Sequence, residues 1–156
     1  MKPNRTLLVA AALFLTAAAA TIAASAHTGT WKLNENKSKL FPHGPKNTMV
    51  VYTEGRGGKM TLAVDGVDKD GKPIHWTWEG KFDGKPHNVK GSATADAIAY
   101  KIVNDRTNEL TVMKNGNVVM TGTIAVAKDG KSRLVTTTVA DGSGKKHTEK
   151  AYYEKE

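Results

Sequence analysis

The chain has 156 residues, room for a leader segment and one domain with a real core, and its 23 basic against 15 acidic side chains give a net charge of +8. There is no cysteine, which excludes disulfide staples, a thiol nucleophile and lipoprotein-type lipid attachment. The basic residues are scattered, many of them in Asp-Gly-Lys turns, so the charge describes a solvated cationic exterior rather than a specific nucleic-acid site.

Lys2 and Arg5 open the chain, an apolar run follows from Leu7 to Ala24, and Ala24-Ser25-Ala26 precedes His27. A basic start, an apolar middle and a small-x-small site are the parts of a secretory signal peptide. An uncleaved membrane anchor is the alternative, but the run is mostly alanine, which drives bilayer residence less than leucine or isoleucine does. The expectation is a cleaved signal peptide over residues 1–26 and one domain over residues 27–156. Removing the signal's two basic residues leaves 21 against 15, a mature charge of +6. The mature chain is then periplasmic or secreted, with no transmembrane segment.

Gly29 to Leu33 is a short strand with Trp31 and Leu33 in phase. Asn34 to Lys46, with Pro42, Gly44 and Pro45, has no helical spacing and is an ordered loop. Strands follow at Thr48 to Thr53 and at Lys59 to Val67, where Met60, Leu62 and Val64 share a face. Pro73 to Phe82 alternates strictly, placing Ile74, Trp76, Trp78, Gly80 and Phe82 on one side and His75, Thr77, Glu79 and Lys81 on the other. Two of the chain's three tryptophans therefore point into the core from one strand. Asp83-Gly84-Lys85-Pro86 is the next expected turn, before a short piece at His87 to Lys90. Ala97 to Val103 puts Ile98, Tyr100 and Ile102 in phase, and Thr107 to Lys114 reaches Asn115-Gly116, a strong hairpin signal. Asn117 to Ala127 carries Val118, Met120, Ile124 and Val126 on one face, with Gly122 at a bend or bulge. Ser132 to Ala140 and Lys146 to Lys155 complete the series.

Roughly eight to ten short strands joined by tight turns mean an all-β fold. Short links join antiparallel neighbours, and a long twisted meander closes on itself to remove its edges, so the expectation is an antiparallel up-and-down barrel.

Several segments carry a family resemblance. Gly29-x-Trp31 on the first strand resembles the Gly-x-Trp motif of lipocalins. With Lys37-Ser38-Lys39, Asp68 to Lys72, Phe82 to Lys85, Asp105-Arg106-Thr107, Lys128 to Lys131 and Tyr153-Glu154-Lys155, the mature chain is similar to a bacterial family of small secreted lipocalin-like proteins. The resemblance implies a calycin-like barrel in which an arginine packs across Trp31 at the closed end. Arg106 and Arg133 are the candidates, and Arg106 is preferred because it stands in a matched segment. The ending also resembles that of fatty-acid-binding proteins, but Ala151 stands where their carboxylate-gripping arginine would be. Their helical lid has no counterpart between Leu33 and Val50.

No catalytic constellation stands out, and no serine sits in a Gly-x-Ser-x-Gly elbow, so no enzymatic activity and no cofactor are expected. Asp65, Asp68 and Asp70 hint at a calcium loop, but the spacing and the closing glutamate are wrong. The five histidines include no short-spaced pair. His27 alone offers a metal reading, because cleavage would let its amine and ring hold copper.

Trp76, Trp78, Phe82, Tyr100, Met60, Leu62, Ile102 and Met120 are expected to line a cavity, since a barrel of more than eight strands has a wider lumen. The leading expectation is an extracytoplasmic, monomeric binding protein for a small, mainly apolar molecule. The alternatives are a cationic interaction or inhibitor module with a filled barrel, and a copper protein using His27.

Overall fold

Alternation in the sequence becomes alternation in burial. A computed structural model describes residues 25–156, so the signal segment expected over residues 1–26 lies outside the described residues, apart from Ser25 and Ala26. Ten strands follow in order: β1 (Gly29–Leu33), β2 (Lys46–Glu54), β3 (Met60–Val67), β4 (Pro73–Gly80), β5 (Asp83–Lys90), β6 (Ala97–Asn104), β7 (Thr107–Lys114), β8 (Asn117–Val126), β9 (Ser132–Ala140) and β10 (Lys146–Lys155). Among the described residues the only helical pieces are two 3-10 turns, Glu35–Lys37 and Arg56–Gly58.

Each strand pairs antiparallel with its sequence neighbours, and β1 closes the ring on β10, with Trp31 opposite Lys155 and Leu33 opposite Tyr153. The result is a closed ten-stranded meander barrel. Every strand has a partner on both sides, so none is a free edge strand.

The turns show why the chain reverses where it does. Asn115 and Gly116 take φ of 49° and 76°, the positive pair that a two-residue hairpin needs. The Asp68 carboxylate accepts the Asp70 and Lys72 N–H groups at 2.8 and 2.9 Å, and Asp141 accepts those of Ser143 and Lys145 at 2.9 and 3.0 Å. One turn chemistry thus recurs around the barrel.

One expected turn moves. Asp83 to Pro86 belongs to β5, and the chain reverses at Lys81 and Phe82 instead. Phe82 packs inward on Trp78 and Tyr100, which turns the backbone early, and the Asp83–Pro86 ladder with β6 carries a register shift. β4 and β5 share only the pairs Thr77–Lys90 and Trp78–Val89. Beside this short ladder the His87 ring fills the space over Gly80, where a Cβ would collide with it.

The barrel has two unlike ends. The turns β2–β3, β4–β5, β6–β7 and β8–β9 gather with the Ser25–Thr28 turn at the base. The Asn34–Pro45 loop and the turns β3–β4, β5–β6, β7–β8 and β9–β10 surround the mouth. Trp31, Leu62, Val64 and Trp78 are at most 1% exposed and fill the lumen toward the base.

Candidate functional site

The mouth half of the lumen is open. A cavity of about 290 Å³ lies between β1, the β2 start, β4, the β5–β6 loop and β10. Leu33, Leu40, Ile74, Trp76, Val89, Ile98, Val112, Met120, Val135 and Ala151 give it an apolar wall, and Tyr153 stands at its floor. Each wall residue is on the inward phase of its strand or on a mouth loop, so the pleat itself builds the surface.

Two loops shape the rim. The Asn34–Pro45 loop is tied down by the Lys39–Lys150 bridge, whose N–H groups donate at 2.7 and 2.9 Å, and by the Phe41 N–H, which donates to Glu149 Oε2 at 3.0 Å. That brings Leu40 over the cavity. Opposite, the Ser92 hydroxyl accepts the Thr94 and Ala95 N–H groups. Asp96 accepts the Asn115 N–H at 2.7 Å and Lys114 Nζ at 2.8 Å, and these donors hold its carboxyl below the usual range.

Few polar groups face the interior. The Tyr153 hydroxyl donates to the Asn47 carbonyl at 2.8 Å, and burial pushes its pKa up to about 12, so it remains a neutral phenol. Thr137 is buried on the wall, and Lys46, Asp68 and Glu149 stand at the rim. Lys46 is already paired with Glu35 at 2.6 Å.

Below the cavity lies a dense aromatic base. Trp78 meets Tyr100 edge-on at 4.9 Å and stacks with Phe82 at 6.2 Å, and its indole N–H donates to the Ile98 carbonyl at 2.9 Å. The Arg133 guanidinium lies 4.7 Å from the Trp31 ring and 4.9 Å from both Tyr52 and Tyr153. This corrects the preference for Arg106, which lies in the turn between β6 and β7; the residue across Trp31 is Arg133 on β9. The cause is register, because Arg133 stands opposite Tyr153, and Tyr153 opposite the β1 end.

His27 closes the base. It is 2% exposed, meets Tyr52 and Phe82 at 6.3 and 6.0 Å, and its carbonyl accepts the Trp31 indole N–H at 2.7 Å. Burial first, and the Arg133 charge second, lower its pKa to about 4. The rings that meet it include no second imidazole, and among the described residues no three His, Cys, Asp or Glu side chains gather as a metal group.

The expected lining therefore divides. Trp76 and Met120 line the cavity. Trp78, Phe82, Tyr100, Met60 and Leu62 pack in the filled part below it. Ile102 is 58% exposed and does not line the cavity, because it stands at the base end of β6, at the last regular pair of the β6–β7 ladder. Sequence reasoning missed Ile98, Val112, Val135, Glu149 and Tyr153 as lining residues. Inward phase combined with nearness to a mouth turn would have found them.

No family model matches the chain, and no curated protein matches it. Solved structures do. A mutant of the fluorescent protein UnaG aligns with a TM-score of 0.56 at 15% identity, over 83% of this chain and 95% of that one. A redesigned β-barrel, mFAP1, bound to DFHBI, aligns at 0.45 and 15% identity, over 85% and 98%. The likeness to UnaG is one of fold, a small closed antiparallel β-barrel.

Proposed function

We propose that this protein is an extracytoplasmic binding protein, not an enzyme, that holds one small, mainly apolar molecule in the mouth half of its barrel. The observation that carries the reading is the cavity of about 290 Å³ with an almost continuous aliphatic and aromatic wall. At about 30 Å³ per water in the liquid, that space equals some ten waters, so the ligand is small.

Binding rests on removal of apolar surface from water, at about 25 cal/mol per Å² before association costs. An apolar fluorescent probe should bind the folded protein one to one and change Trp76 emission. Ala151→Trp, which fills the cavity from its wall, should abolish binding while the protein stays folded. Unchanged probe binding in that variant would place the probe elsewhere and remove the support. Export is tested by intact mass, where a chain starting at His27 is expected and a full-length chain in the membrane fraction would establish an anchor instead.

A further inference from the structure

The inward face of β10 carries Glu149, Ala151 and Tyr153 in line from the rim to the floor of the cavity. Glu149 is half-buried at the cavity rim, opposite Thr137, and one of its oxygens accepts the Phe41 N–H. No ion pair among the described residues includes it. Neither Lys46, which lines the same cavity, nor Arg133, which lies against Tyr153 at its floor, is paired with it. Lys46 is held by Glu35 at 2.6 Å, and Arg133 lies against the rings of Trp31, Tyr52 and Tyr153. The third charged rim residue, Asp68, is negative as well.

Resting on the binding-protein reading, we propose that the ligand is a small amphiphile with a cationic hydrogen-bond donor as its head, an alkyl- or arylammonium, and that Glu149 receives that head. The apolar body lies along Trp76, Ile98 and Val135, with its end toward Tyr153. A half-buried carboxylate without a cationic partner favours a charged donor and repels an anion, and screening is weaker there than in bulk water. Arg133 opposes a cation set deep in the barrel, which fixes the orientation with the head at the rim. A ligand carboxylate has no seat at the rim, because it would lie against Glu149 with Ala151 as its neighbour.

The test uses three probes of one chain length, n-octylamine, n-octanol and octanoate, titrated calorimetrically into the intact protein at pH 7. The amine should bind tightest, at least about tenfold tighter than octanoate, with the alcohol between them. Glu149→Gln keeps an acceptor for the Phe41 N–H and should bring the amine and the alcohol within about twofold. Ala151→Arg, which adds a cation two residues along the same face, should reverse the order, and it decides the matter if Glu149→Gln alters the melting curve. If octanoate binds as tightly as the amine, the head-group assignment is wrong while the cavity reading stands. An amine preference that survives intact in Glu149→Gln likewise overturns the role of Glu149. If none of the three binds, the binding-protein reading itself fails.

Discussion

His27 is a neutral imidazole sealed in the tightest part of the barrel, and both of its ring nitrogens lack a hydrogen-bond partner. Its folded pKa of about 4 lies below the ordinary 6.5, so the unfolded chain takes up the proton first. Its contribution is fully present above pH 6.5 and is lost as the pH falls toward 4, by about 3 kcal/mol over that interval. Chemical denaturation at a series of pH values should show this loss ahead of ordinary carboxylate titration. His27→Phe keeps the ring contacts with Tyr52 and Phe82 and should flatten the profile between those limits. An equally steep fall in that variant would assign the acid sensitivity to other groups. Arg133 bears on the same balance, since its charge is the second cause of the shift, and Arg133→Met should raise the His27 pKa.

On β4 the two tryptophans have different work. Trp78 is 1% exposed and bonded to Ile98, so Trp78→Ala should cost about 3–5 kcal/mol by equilibrium unfolding. Trp76 borders the cavity, and its replacement by alanine should cost less than half as much while weakening probe binding. His75 is exposed and its contact with Asp65 is a surface pair, so His75→Ala should stay within about 0.5 kcal/mol. Equal losses at His75 and Trp78 would reject the alternation. Alternation was legible because a pleat has period two, and it placed Trp76, Trp78 and Tyr100 inside. It carries no information on height along the barrel axis, which is why Trp78 and Trp76 looked equivalent. Height depends on cross-strand register, and register also decided between Arg106 and Arg133. The Asp-Gly-Lys pattern at Asp83 misplaced a turn because it reports local preference, whereas the inward pull of Phe82 is tertiary.

For the whole molecule, ring closure removes the sheet edges that would otherwise recruit a second copy. The protein should elute as a monomer, and a concentration-dependent dimer would mean that something other than strand pairing joins two barrels. The approximate strand number, eight to ten, was legible because the turn residues are strong, and the general size of the lumen followed from that range. The division of the lumen into a packed base and an open mouth was not, because it depends on which inward side chains meet across the barrel.

The described chain enters the barrel at Ser25 and leaves it at Glu156, whose N–H donates to the Thr30 carbonyl, and both positions lie at the base. The barrel is therefore polar in the sense of a socket: the two ends share one pole and the cavity opens at the other. A linker, label or immobilising tag attached after Glu156 would leave the opening unobstructed. Two such barrels joined tail to tail would present their openings in opposite directions, each as accessible as in the single protein.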